Sequence, residues 1–202
     1  MPEERPYPHA ALVLAAGGSY RMGGAKQLLE LDGRTLLART LEAVSASGAR
    51  PITVVLGSNA AAIRPQLSEG SALVVINPDW ASGMASSIRL GISALTATDP
   101  SLEAVLVTPC DQPALTAESI RRLVGLHRST GLIAAARYKG RLGAPAVFGA
   151  GHLGALMALK GDEGARGLLN SGIVEVAGAD LPELGFDIDT PADFQAWKST
   201  HP

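Results

Sequence analysis

Short continuous apolar runs alternate with amphipathic segments along this chain. Residues 10–16 (AALVLAA), 51–57 (PITVVLG), 72–77 (ALVVIN) and 104–109 (AVLVTP) are such runs. None shows the polar alternation of a half-exposed strand, so they predict strands covered on both faces. The segments between them repeat at helical spacing. Leu36, Leu37, Leu41 and Val44 mark a helix over 35–47. Met84, Ile88, Ile92 and Leu95 mark one over 84–95, and Ile120, Leu123 and Val124 mark one over 116–128 with Thr116 as its cap. A βαβα order implies right-handed crossovers and a mostly parallel sheet between helix layers, a three-layer α/β/α fold.

After residue 130 the rhythm loosens. Residues 132–138 (LIAAARY) and 144–150 (APAVFGA) read as strands separated by the polar turn KGRLG, an antiparallel insertion or a sheet edge. Helices are expected at 151–160 and 163–171, and a strand at 172–178. Thr190 followed by Pro191 is a helix start. No repeat, low-complexity tract or linker interrupts the series, so residues 1–202 are expected to form a single domain. In open sheets of this kind ligands bind beyond the carboxyl ends of the strands.

Composition narrows the picture further. The 202 residues are 47% hydrophobic and 18% charged, with a formal net charge of -2. That balance suits a globular chain and gives no general surface for nucleic acid or membrane. The single cysteine, Cys110, excludes a disulfide within the chain and suggests a cytoplasmic setting. The opening MPEERPYPHA lacks the apolar stretch of a signal peptide, and no segment is long and apolar enough to span a bilayer.

Candidate chemistry begins where the first strand ends, in LVLAAGGSYRMGGAK (12–26). A Walker A loop needs lysine and a hydroxyl residue after its last glycine. Gly18 and Gly23 have the right separation, but Gly24 stands where lysine belongs and Gln27 follows Lys26. A dinucleotide fingerprint fails in the registers from Gly17 and Gly18, and no acidic residue closes a second strand near residue 57. What remains is a small-residue loop, Ala15 to Ser19, able to aim main-chain N–H groups at an anion, followed by Arg21 and Lys26. That set suits an enzyme holding a triphosphate while its α-phosphate is attacked. The alternative is a tight turn with solvated cations.

The string LVLAAGGSYRMGGAKQLLELDGRTLLART resembles the signature of the nucleotidyltransferases with a Rossmann-like fold, and within them the molybdenum cofactor cytidylyltransferases. NPDWASGMASSIRLGI (77–92), CDQP (110–113), GDEGAR (161–166) and DIDTPADF (187–194) follow in the order of that family. The resemblance implies Mg²⁺-dependent transfer from CTP to a molybdopterin-type acceptor, with release of pyrophosphate. A molybdenum hydroxylase would be the downstream partner.

Asp111 directly follows the run AVLVTPC, at the end of a strand. Asp187 and Asp189 flank Ile188 in a short strand-like piece, so both point to one face. Hard oxygen ligands of this kind suit Mg²⁺ on substrate phosphates. Asp111 and Asp189 are assigned to the metal, with Asp187 as the substitute. The competing readings are a turn or cap for Asp111 and an Asx-turn for Asp189. Lys26 is assigned to the α-phosphate and Arg21 to the β/γ side, so Arg21, Lys26 and Asp111 form the expected catalytic set.

Ala15, Ala16, Gly17 and Gly18 are expected to cradle the nucleotide. In the resembled family an AAG turn goes with cytidylyl transfer and AGG with guanylyl transfer, which points to CTP here. Gly83 and Ser87 resemble the helix start that contacts cytosine in similar cytidylyltransferases; helix capping by Ser86 and Ser87 is the alternative. Many relatives carry GHP where this chain has Gly143-Ala144-Pro145, which leaves the acceptor open. Lys139 and Arg141 read as a solvated turn, and Arg166 as a weak substrate contact. Trp80 reads equally as a stacking platform or as core. Cys110 reads as a small buried residue, since no histidine partner lies near it. The rival functions are a guanylyl or other NTP transferase, and a non-catalytic cofactor-insertion chaperone. A nicotinamide-using oxidoreductase is disfavoured by the missing ribose-binding acid.

Overall fold

The computed structural model describes residues 8–201. The polar opening residues 1–7 lie outside the described part.

Seven strands form one mixed sheet. They are β1 (Ala10–Ala15), β4 (Ile52–Leu56), β5 (Leu73–Ile76), β6 (Ala104–Pro109), β7 (Ile133–Tyr138), β8 (Arg141–Gly149) and β9 (Val176–Asp180), in the order β5-β4-β1-β6-β8-β7-β9. β1 pairs in parallel with β4 and β6, β4 with β5, and β7 with β9. Helices flank the sheet: α1 (Leu36–Ala46), α2 (Ala60–Ile63), α3 (Met84–Thr98), α4 (Ala117–Thr130), α5 (Leu153–Met157), α6 (Ala165–Leu169) and α7 (Pro191–Thr200).

The three layers follow from the two-residue period of a strand. In β1, Ala11, Val13 and Ala15 face Leu37, Leu41 and Val44 of α1 and Ile120 and Leu123 of α4 in one apolar cluster. Ala10 and Leu12 face the opposite cluster, with Ile88, Ile92 and Leu95 of α3 and Leu156 of α5. Burying each large aliphatic side chain contributes roughly 1.5–3 kcal/mol, so neither face tolerates a polar replacement. The contact of α3 on the sheet is close: a Cβ on Gly91 would lie 2.2 Å from Leu12 Cδ1.

Three expectations need correction. Of the two placements expected for β8, the antiparallel insertion holds and the sheet edge does not: it runs antiparallel to both β6 and β7, and it starts at Arg141, inside the expected turn. The turn shrinks to Lys139 and Gly140, both at positive φ, the twist that a two-residue hairpin requires. The last strand starts at Val176 instead of residue 172, because Gly172 at φ +71 turns the chain first. Asp187–Asp189 is not a strand; Ile188 N donates to Asp111 O at 2.9 Å, Asp189 N donates to Asp193 Oδ2, and Ile188 packs on Leu31 and Leu36.

One small unit went unpredicted. β2 (Glu30–Leu31) and β3 (Arg34–Thr35) pair across Asp32-Gly33, whose φ values are +53 and +74. This hairpin carries Leu31 onto Leu36 and Ile188, which anchors the 187–189 segment from beneath.

Candidate active site

Parallel β1, β4 and β6 end on the same side of the sheet, so the loops after Ala15, Leu56 and Pro109 converge there. The glycine-rich loop is shaped by a residue whose role has no signature in the sequence pattern. Gln27 is buried, and its Nε2 donates to Ala15 O at 2.9 Å and Gly17 O at 3.1 Å. Ser19 sits in the left-handed region at φ +52. Its Oγ accepts from Lys26 N and donates to Gln27 Oε1, an arrangement that supports the turn.

Lys26 is the centre of the charged cluster. Its Nζ donates to Asp111 Oδ2 at 2.6 Å and Asp189 Oδ1 at 2.7 Å. Arg21 Nη2 reaches the other oxygen of Asp189 at 3.0 Å, from a side chain 70% exposed. The fold therefore brings Arg21, Lys26, Asp111 and Asp189 together from positions up to 168 residues apart in sequence (189 minus 21). Burial works against the charge on Lys26, but the two carboxylates outweigh it and raise its pKa. Asp189 shows the reverse balance: burial opposes ionisation, and Lys26 and Arg21 hold the carboxyl below its ordinary value. Asp187 is pushed up by burial and by the charges of Asp111 and Asp189. It stands beside the cluster and, with Gln112, lines the smaller of two neighbouring cavities.

Two cavities open at this edge. One, of about 520 Å³, is lined by Ala15, Ala16, Gly17, Gly18, Lys26 and Ser87, and by Gly83, Trp80 and Asp111. Gly83 has φ +113, and a Cβ there would lie 2.3 Å from the Gly161 backbone; only glycine permits this start to α3. The serines divide their work. Ser86 Oγ donates to Gly83 O and Asp79 O, which is structural. Ser87 Oγ accepts from Asn77 Nδ2 at 2.9 Å and lines the cavity. Trp80 is both wall and core, since it lines the cavity and packs on the α3-side cluster.

The second cavity, of about 310 Å³, shares Leu14, Met84, Pro109, Asp111 and Asp162 with the first. It continues past Asp187, Tyr138 and Arg166. Arg166 lies near the Tyr138 hydroxyl and Asp187, and its charge favours ionisation of both. Ala144 also lines it. Lys139 and Arg141 line neither cavity. Cys110 is buried, and burial followed by the Asp111 charge pushes its thiol up to about 12. That state is unreactive.

Among the described residues, no three His, Cys, Asp or Glu side chains form a ready metal cage. Asp111 and Asp189 nevertheless present two carboxylate oxygens to one cation, the Lys26 ammonium. Such a donor set fits a hard divalent ion completed by substrate oxygens and water. No helix among the described residues is long and apolar enough to cross a membrane.

Comparison with known proteins supports the same reading. The chain is 34% identical to nicotine blue oxidoreductase of Paenarthrobacter nicotinovorans over 190 residues, 89% of this chain and 91% of that protein. It is 30% identical to the bifunctional protein GlmU of Bifidobacterium animalis subsp. lactis over 60% of this chain, but spans only 27% of that longer protein. Among solved structures, Rv0371c of Mycobacterium tuberculosis H37Rv superposes with a TM-score of 0.81 at 29% identity, covering 96% of this chain and 99% of that one. The same protein has been solved in complex with manganese, at a TM-score of 0.78. Residues 11–176 match the MobA-like NTP transferase domain, so the chain belongs to that family and is an enzyme of the nucleotidyltransferase class.

Proposed function

We propose that the protein transfers a cytidylyl group from CTP to a phosphorylated acceptor, with molybdopterin as that acceptor and Mg²⁺ as the metal. The observation that carries this reading is Lys26 bridged to Asp111 and Asp189 at the rim of the cavity formed by the Ala15–Gly18 loop. The larger cavity takes CTP. Lys26 exchanges its carboxylates for the α-phosphate, and the exposed Arg21 turns to the β/γ side. Mg²⁺, when bound by Asp111 and Asp189, offsets the charge of the triphosphate. The acceptor occupies the smaller cavity with its phosphate toward Arg166, the sole basic residue lining it. An acceptor phosphate oxygen bonds to the α-phosphorus as the bond to the pyrophosphate oxygen breaks, and pyrophosphate leaves with the electron pair. An already ionised phosphate needs no general base. Ala15-Ala16-Gly17 and Ser87 support cytidine, and residues 1–202 are taken as one domain.

The test is pyrophosphate release with CTP, GTP, ATP or UTP, each with and without molybdenum cofactor, in Mg²⁺. Release should be fastest with CTP and depend on the cofactor. Fastest release with GTP would replace cytidylyl by guanylyl transfer. Tight binding of the finished cofactor with no release under any combination would favour the insertion chaperone.

One observation favours a second reading. The relative that matches over nine-tenths of its own length is named an oxidoreductase. In that case the larger cavity would take a nicotinamide nucleotide. NADH or NADPH oxidation in the presence of nicotine blue distinguishes the two.

A further inference from the structure

The nucleotide-side cavity has an aromatic feature that phosphate chemistry does not use. Tyr20 is 81% exposed, and a lone exposed aromatic carries no information by itself. Its placement does. The ring lies 6.2 Å from Trp80 at an interplanar angle of 39°, and both rings line the cavity that holds Ala15–Gly18, Lys26 and Ser87.

Trp80 is set in place by the backbone beneath it, and Tyr20 leans over the same stretch. A Cβ on Gly18 would sit 2.8 Å from the Tyr20 ring and 3.2 Å from Trp80, so the two rings meet over bare backbone. A Cβ on Gly57 would lie 2.7 Å from Trp80 Cβ and 2.5 Å from Ala16 O, which seats Trp80 against the strand ends. Tyr20 projects from a turn closed by Met22 N to Ser19 O at 3.0 Å. Ser19 holds its left-handed conformation, sparsely populated for a residue with a side chain, with its hydroxyl bonded to Lys26 N and Gln27 Oε1. The loop that positions Lys26 is thus the loop that presents Tyr20. The Trp80 ring is half-buried, whereas Tyr20 stands largely in solvent.

We infer that Tyr20 and Trp80 form an aromatic clamp for the nucleoside of the bound NTP. Trp80 is the fixed wall and Tyr20 the jaw that closes on the base and ribose. This rests on the nucleotide reading proposed above. Every base has a π-face, so stacking supplies affinity without choosing the base. Choice is left to hydrogen-bonding groups such as Ser87. The clamp therefore predicts a loss of affinity for all four nucleotides.

The experiment uses the Trp197→Phe protein, in which Trp80 is the single tryptophan. Its emission is titrated with CTP, GTP, ATP and UTP. Each nucleotide that binds should quench it. Tyr20→Ala should raise the Kd of every nucleotide about tenfold, and Tyr20→Phe should keep the unsubstituted affinity. Unchanged affinities in Tyr20→Ala overturn the clamp, as does a loss confined to one base. If the protein carrying Tyr20 binds none of the four nucleotides, the clamp and the nucleotide reading fall together.

Discussion

Lys26 is bridged to Asp111 and Asp189, and in the proposed mechanism the substrate takes their place. Its partners are largely shielded, and removing one member of such a set leaves the others uncompensated, at a cost of about 3–5 kcal/mol for fully buried pairs and less here. Lys26→Ala should lower turnover by at least about a thousandfold, since it removes a cation aimed at developing charge. The neighbouring carboxylates give a signed pH test. Burial and the charges of Asp111 and Asp189 raise Asp187, so its ionisation opposes folding above its native pKa and that penalty vanishes below the ordinary carboxylate value, about pH 4. Asp187→Asn should raise the melting temperature at pH 7, and the gain should disappear as the pH falls below about 4. Asp189 is held low, so its contribution is fully present above about pH 4 and is lost as the pH falls through its lowered native value. Asp189→Asn should lower the melting temperature at pH 7 and converge with the native protein in acid. Cys110 should resist thiol reagents at pH 8 until the protein unfolds, since its thiol is buried and pushed up to about 12. Labelling of the folded protein at a free-thiol rate would contradict that. Arg21, Lys26 and Asp111 were visible as candidates because each stands at a strand end or in a glycine loop. Gln27 was not, because its function is to hydrogen-bond two distant backbone carbonyls, which leaves no mark in periodicity or composition.

Elements set how closely these side chains meet. The start of α3 depends on Gly83, whose φ is +113 and whose added Cβ would strike the Gly161 backbone. Gly83→Ala should destabilise the fold by on the order of 2 kcal/mol or more, read from chemical denaturation, because backbone cannot yield as a flexible side chain does. It should also weaken nucleotide binding, since Ala85 N donates to Gly161 O across this contact. The central strands were legible because both of their faces are buried and the runs are uninterrupted. The helices were legible because α1, α3 and α4 each bury one stripe. Periodicity cannot place a strand within a sheet, so β8 was left between an antiparallel insertion and an edge, and it lies inside the sheet, antiparallel to both neighbours. The Asp32-Gly33 hairpin had its turn signal in the sequence, but its strands of two residues were too short to register as a pattern. The segment at Asp187 and Asp189 escaped for a related reason: tertiary contacts of Ile188 hold it, not a ladder.

At the scale of the molecule, strand order does the organising. β1 lies between β4 and β6, so the glycine loop after β1 and Asp111 after β6 face one another across a single crevice. The cavity on one side of Asp111 is bordered by loop backbone and aromatic rings. The cavity on the other side is bordered by Arg166, Tyr138 and apolar walls. A shared wall at Met84 and Asp111 is the geometry that joining two substrates requires, because the reacting atoms must approach within bonding reach. The most direct measurement is pyrophosphate release from NTP and Mg²⁺ in the presence of acceptor, comparing the native protein with a folded Lys26→Ala variant. The account predicts release by the native protein and a fall of at least about a thousandfold in the variant. Equal rates in the two proteins, or no release from any of the four nucleotides, would contradict it.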